Sequence, residues 1–369
     1  MKYLGILFTA GWRQSPGGHG RGDHMTGLTP GTARLLIATL TPTTCPTVIA
    51  ADGHLRDWGD LPRLDRNRRL ENKIRAIITA IRDSGHPVDH QHKERHAGLT
   101  RIIADPVIGP SGAVHAIQLW VGALDVQPPP LRPVAAFTWS SNSRLIELSA
   151  ETNERYVFSP IAGRLTLTSP EAFRHIEHFD DAMTLIGKAL QPRPDDHWSG
   201  RASIRTPHGL RTVQLAMRSM PAPDHESWRG LIHDVTDAIA PAPPALHSLA
   251  LFAIAARSPA TAAAIMDVAQ ARIIAWITDP IPGIQWKGVT DDRDTPPPED
   301  MERIFASFGR FKDGATVVHV PEVRLRRVDG GWTTVDGRAT LIPTTASPLM
   351  VLVELTPVLE HTGPTPTAT

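Results

Sequence analysis

The sequence predicts an α+β protein: three consecutive units, each a mostly antiparallel sheet with helices on one face. Two proline-rich joints, at 128–133 and 241–244, divide the chain, and runs of proline resist both helix and sheet. The three blocks between and beyond them repeat one order of elements: strand, strand, helix, long hairpin, closing strand. The short glycine-bearing links between those strands call for antiparallel pairing. The blocks run over residues 26–127, 134–240 and 245–360. A flexible tail at 1–25 and a disordered one at 361–369 flank them.

In the first block, residues 34–40 are largely apolar and suit a strand or a short helix, and residues 47–51 suit a strand closed by an Asp52-Gly53 turn. Leu70, Ile74, Ile77, Ile78 and Ile81 recur at helical spacing and predict a helix ending near Gly85. Residues 99–104 and 114–121 form strands about a turn at Pro110-Ser111-Gly112. The second block pairs 135–139 with 144–148, then carries Phe179, Met183, Ile186 and Leu190 on one helical face. It closes with strands at 198–204, 210–217 and 228–235. The third has strands at 265–268 and 273–277 and a helix bearing Met301, Ile304, Phe305 and Phe308. A hairpin over 317–341 and a last strand at 349–355 complete it. Gly98, Gly209 and Gly331 each stand at the entry to a penultimate strand, about 110 and 120 residues apart. That interval is the size of a domain, not of a solenoid repeat.

Composition narrows the function classes. The chain of 369 residues is 41% hydrophobic, enough for real cores. Lys+Arg and Asp+Glu are both 38, so the whole chain lacks the basic excess of a nucleic-acid binder. The single cysteine, Cys45, forms no intramolecular disulfide and anchors no cysteine-based metal site; it fits a reducing, cytoplasmic setting. No apolar run approaches the roughly 20 residues that span a bilayer. The opening Met1 to Phe8 stretch is faintly like a signal peptide, but Trp12 and Arg13 stand where a cleavage site belongs.

The second block resembles a PAS domain. Trp198-Ser199-Gly200-Arg201 is similar to the family's W-x-G ahead of a strand, Gly209-Leu210-Arg211 to its next turn, and Asp234-Val235-Thr236-Asp237 to its closing D-V-T-D. The third block is similar with weaker wording at Gly331-Trp332-Thr333 and at 351–356, and the first resembles a more distant PAS or GAF relative. The composition, rich in Arg, Ala, Pro and Thr, is similar to PAS/GAF-type proteins of actinobacteria. The resemblance implies tandem sensor domains, each a five-stranded antiparallel sheet whose concave face, under short helices, holds a small ligand or merely packs. It also implies a tendency to dimerise. No kinase, cyclase or helix-turn-helix output pattern follows.

Several residues invite chemistry. Trp139, Trp198, Trp228, Trp276, Trp286 and Trp332 stand out in a chain with 5% aromatics; they suit a ligand cavity or ordinary core packing. The run from Asp89 to His96 holds His90, His92 and His96, but no single conformation converges all three, and a solvated loop is the plainer expectation. His175 and His178 fall where a haem-binding PAS domain places its helical proximal histidine; a polar helix face explains them as well. Cys45 lies in a turn-like stretch, unsuited to flavin photochemistry. The glycines at 17–22 lack the Lys-Ser/Thr of a P-loop. Asp291, Asp292, Asp294, Glu299 and Asp300 read as a loop and an acidic helix start. Arg324, Arg326 and Arg327, and Arg63, Arg66, Arg68 and Arg69, read as exposed basic faces. No catalytic elbow or zinc motif occurs.

The expectation is thus a non-catalytic sensory or regulatory protein, its cofactor unknown. The expected partners are a small apolar or aromatic ligand, a second copy or a signalling protein, with neither membrane nor nucleic acid among them. The alternatives are a ligand-free scaffolding dimer or a DNA-associated regulator.

Overall fold

The computed structural model describes residues 34–40, 46–61, 68–94, 98–156, 164–220, 227–242, 261–285, 296–342 and 349–358. They form three antiparallel sheets. The first contains β1 (Arg34–Ala38), β2 (Thr47–Ala51), β3 (His54–Asp60), β4 (Val88–Glu94), β5 (Gly98–Ile108) and β6 (Val114–Ala123), with helix α1 (Arg68–Ser84) between β3 and β4. The second contains β7 (Val134–Ser140), β8 (Leu145–Leu148), β9 (Thr166–Thr168), β10 (Ile176–Phe179), β11 (His197–Thr206), β12 (Gly209–Ser219) and β13 (Ser227–Asp234). Its helices are α2 (Ala150–Tyr156), α3 (Ser169–Phe173) and α4 (Ala182–Leu190). The third contains β14 (Ala262–Asp267), β15 (Arg272–Trp276), β16 (Val317–Arg326), β17 (Trp332–Leu341) and β18 (Met350–Pro357), with α5 (Pro298–Gly309).

One connectivity recurs. The orders β2-β1-β6-β5-β4, β8-β7-β13-β12-β11 and β15-β14-β18-β17-β16 are the same five-strand pattern, with the unit's first strand beside its last. The second and third strands of the pattern lie at opposite sides of the sheet. The chain must cross a face to pass between them, and α1, α2–α4 and α5 lie in those crossings. The first sheet adds β3 at its edge; the second adds β9 and β10.

The α+β expectation is overturned. Half of the described residues are strand and 19% helix, so the protein is predominantly antiparallel β. Two causes account for the difference. Stretches without apolar alternation, such as Val88–Glu94, are edge strands held by backbone pairing: β4 matches β5 over seven residue pairs from Val88–Ala104 to Glu94–Gly98. And the outer face of the first sheet is covered by another sheet, not by helix. Leu36, Ala38, Ile49, Ala50 and Ala116 pack there on Val134, Ala136, Ala216 and Leu231 of the second sheet.

This back-to-back stacking explains β1. Leu35 and Ile37 point toward α1, and Leu36 and Ala38 toward the second sheet, so a strand buried on both faces reads as an unbroken apolar run. On the other face, Leu70, Ile74, Ile77, Ile78 and Ile81 of α1 are buried against Ile37, Ile102, Ile117 and Leu119. At about 2 kcal/mol per buried side chain, this one stripe fixes the helix. Gly85, at φ +71, ends it.

The joint at 128–133 is clamped to both sheets. The Gln118 side chain donates to the Arg132 carbonyl (3.0 Å), and the Asp234 amide donates to that of Pro133 (2.9 Å). Arg132 itself pairs with Asp52 (3.1 Å) and Asp237 (2.9 Å). Deeper in the seam, Gln214 donates to the carbonyl of Gly53 at 2.7 Å and holds Nδ1 of buried His233 at 3.2 Å. His115, fully buried, brings Nδ1 to within 3.3 Å of the Gly230 carbonyl.

Candidate functional site

The curved face of the third sheet is roofed by α5. Pro298 opens that helix, and Glu299 and Asp300 occupy its first turn. Asp300 is buried and anchors the helix to β16: it accepts from the Arg324 amide (2.9 Å) and Nε (3.0 Å), and Arg303 reaches it at 3.1 Å. Burial pushes its carboxyl up, but the Arg324 hydrogen bonds and the two guanidinium charges outweigh that and hold it below the ordinary carboxylate range. Ile304 and Phe308, one turn apart, are the buried face of the helix.

Between roof and sheet lies a cavity of about 320 Å³. Met301, Ile304 and Phe308 line it from above; Val320, Val323, Ala339, Val353 and Leu355 line it from the sheet, and Met266 and Trp276 from β14 and β15. One end is different in kind. There the second sheet contributes Ser143, Arg144, Thr168 and Ser169, and the turn from β14 to β15 adds Gln270 and Arg272. Among the described residues no acidic side chain lines the cavity.

That polar end is built by contacts between the second and third sheets. Arg144 follows the turn after β7 in the left-handed region, at φ 59. Its Nη2 donates to Oδ2 of fully buried Asp267 at 2.7 Å, and Nη1 donates to the carbonyls of Ser141 and Leu190. Its buried Nε has no hydrogen-bond partner among the described residues. Ser169 donates to the Arg144 carbonyl at 3.2 Å. Glu171 fixes the start of α3, accepting from Thr168 (2.9 and 3.0 Å) and, through both oxygens, from Arg164 (2.9 Å each). Arg272 donates to the Ser143 carbonyl and Gln270 to that of Asn142, each at 3.3 Å. Ile186 and Leu190 of α4 meet Ile274 and Met350 beside this end.

Of the tryptophans singled out by sequence, only Trp276 reaches this cavity among the described residues. Trp139, Trp198 and Trp228 are buried in the second sheet's own core. That core is filled by aromatics: Trp139, Phe173, Phe179 and Trp198 touch in succession at ring separations of 6.2, 6.2 and 5.5 Å. Trp332 is 43% exposed, with the Arg326 guanidinium 5.3 Å from its ring. Trp286 lies outside the described residues, as do Cys45, His96, the glycines at 17–22, Asp291 to Asp294, Arg63 and Arg66.

The other candidates are accounted for locally. His90 and His92 stand on β4, not in a loop, beside an Asp89–Arg101 pair at 2.5 Å. His178 sits on β10, not a helix, with Nε2 2.9 Å from Asp180. Arg324 is bound to Asp300 and Glu299, and Arg327 to Asp329 at 2.7 Å. Among the described residues no three His, Cys, Asp or Glu side chains converge on a metal position. A second cavity, of about 330 Å³, lies at the proline joint, and its Arg132, Asp52 and Asp237 satisfy one another. The residues that sequence reasoning missed are Arg144, Ser169 and Arg272. The sequence places Arg144 at the start of a strand over 144–148, and nothing in it announces Ser169, Arg272 or Asp267.

The family comparison agrees with this architecture at both ends. The model "Rv3651-like, N-terminal" matches residues 34–130, and "Rv3651-like, C-terminal domain" matches residues 253–356. The chain carries both domains of the Rv3651-like family. A crystal structure of an uncharacterized protein from Mycobacterium tuberculosis is similar at TM-score 0.72 and 19% identity, covering 89% of this chain and 97% of that one. That likeness shows that this Rv3651-like chain shares its fold. An RNA-binding light-oxygen-voltage receptor matches at TM-score 0.25 and 12% identity, over 61% of this chain and 95% of that one. A methyl-accepting chemotaxis protein matches at 0.20 and 10%, over 62% and 75%. Neither score carries an argument. No curated protein matches the chain. No helix among the described residues is long and apolar enough to cross a membrane.

Proposed function

We propose that this Rv3651-like chain is a non-catalytic, cytoplasmic regulatory protein with three PAS-like units, at 26–127, 134–240 and 245–360, and that its third unit binds a small, largely apolar molecule. The observation that carries the reading is the cavity of about 320 Å³ between α5 and the third sheet. An apolar enclosure with a few placed polar groups at one end is the usual form of a small-molecule site. In the second sheet the corresponding interior holds the touching rings of Trp139, Phe173, Phe179 and Trp198. The recurring five-strand pattern and the W-x-G and D-V-T-D segments of the second block support the PAS-like description.

Ligand occupancy has a route outward. The cavity's polar end is shared by two sheets and lies against the Arg144–Asp267 pair, so a bound molecule bears directly on how the third sheet sits on the second. The scaffolding alternative is weaker, since the apolar outer faces of the first two sheets are spent on each other.

Native mass spectrometry and an absorption spectrum of the purified full chain test the proposal, together with calorimetric titration of indole and 1-octanol. The expected result is a bound small molecule, or binding of these probes that the cavity-filling Ala339→Phe variant abolishes while circular dichroism stays unchanged. A ligand-free protein that binds no apolar probe overturns it.

A further inference from the structure

The cavity is apolar around most of its wall and polar at one end. Around α5 and the sheet its walls are apolar apart from Arg326, whose guanidinium lies 5.3 Å from the Trp332 ring; at the junction with the second sheet it presents Thr168, Ser169, Gln270, Arg144 and Arg272. Arg144 is neutralised by Asp267, and its Nε is closed off from the cavity. Arg272 is exposed, and the contact it makes is to a neutral carbonyl, that of Ser143. With no acidic side chain in the lining among the described residues, this end has a net positive charge, carried by Arg272. Such an end favours an anion over a neutral group, because a charge-assisted hydrogen bond is about twice as strong as a neutral one.

We propose that the ligand is an apolar carboxylate: an alkyl or aryl body lying under α5, with its acid group at Arg272, beside the Thr168, Ser169 and Gln270 side chains. This rests on the cavity being a ligand site, as proposed above. A neutral hydrocarbon or alcohol leaves the Arg272 charge unmatched, and Arg326, the other cation of the lining, is held against the Trp332 ring. The geometry also supplies a control. Arg326 lines the same cavity, but on β16, the edge strand opposite β15, which carries Arg272.

The experiment is calorimetric titration of the full chain with octanoate and, as its uncharged counterpart, 1-octanol. The expected result is octanoate binding at least tenfold tighter than 1-octanol. Arg272→Gln reduces octanoate affinity about tenfold and leaves 1-octanol unchanged; Arg326→Gln alters neither by more than about twofold. Ala339→Phe abolishes both. Equal binding of the two probes, both lost in Ala339→Phe, overturns the carboxylate while the cavity stands. Loss of octanoate binding in Arg326→Gln but not in Arg272→Gln overturns the orientation. Failure of both probes and of indole overturns the inference together with the site.

Discussion

Arg144 and Asp267 stand 123 positions apart and meet at 2.7 Å, the carboxylate wholly buried and the guanidinium nearly so. The pair joins the turn after β7 to the end of β14 and is the polar hinge-point between the second and third sheets. Removing one partner strands the other's charge in the interior. Asp267→Ala is expected to cost about 3–5 kcal/mol, whereas the apolar double replacement Arg144→Met with Asp267→Leu recovers most of it. Urea unfolding of Arg144→Met, Asp267→Leu and their double measures the coupling; purely additive losses contradict it.

Two glycines are expected to resist substitution for steric reasons. A Cβ at Gly230 falls 2.2 Å from Cζ of buried Phe137, and one at Gly109 falls 2.2 Å from Nε2 of buried His115. Gly230→Ala and Gly109→Ala each cost about 1–3 kcal/mol through overpacking. Gly209, at φ +103 with nothing within 4 Å, loses about 1 kcal/mol from backbone strain alone. Melting temperatures in that order check the ranking.

Acid should loosen the seam between the first two sheets. Burial pushes the His115 imidazole down to about 4, against a smaller opposing effect of the Gly230 carbonyl; burial and the Arg132 charge do the same to His233, also to about 4. Both are therefore neutral when folded, and below about 6.5 the unfolded chain binds more protons than the native one. Their contribution is complete above pH 6.5 and declines as pH falls toward 4, by about 3 kcal/mol for each histidine at the limit. Urea midpoints between pH 7.5 and 4.5 should drop, and His233→Gln should flatten the decline. A midpoint independent of pH in that window rules the mechanism out.

The tryptophans should separate into two groups. Trp198, buried and packed edge-on to Phe179, is expected to lose about 3–5 kcal/mol on replacement by alanine. Trp332, stacked beneath Arg326 at the surface, should lose no more than about 1 kcal/mol. Denaturant titration of the two variants distinguishes them.

Much of the strand pattern was legible because alternation survives wherever one face meets a core: the hairpin of β16 and β17, the pairs β11–β12 and β7–β8, and the stripe of α1 all follow from side-chain period. What stayed hidden is held by the backbone. Val88–Glu94 reads as a charged loop because an edge strand needs partners only along one side, and His54–Asp60 hid behind the Asp52-Gly53 turn for the same reason. Ile176–Phe179 was drawn into a predicted helix by Phe179, whose ring in fact packs from a strand. Of the candidate site, Trp276, Met301, Ile304 and Phe308 were visible in the sequence; the polar end was not. Arg144, Ser169 and Arg272 come together only when two sheets dock, and no local pattern encodes a meeting of residues so far apart along the chain.

The docked outer faces of the first two sheets bear on how the protein can be divided. A fragment ending at residue 130, where the N-terminal family match stops, keeps α1 and its own interior but uncovers Leu36, Ala38, Ile49 and Ala116. It would go into water with a greasy flank that the intact polypeptide hides. A well-behaved piece of this protein therefore keeps the first two sheets together, and a cut inside the proline joint should yield two halves that stay together after the peptide bond between them is gone.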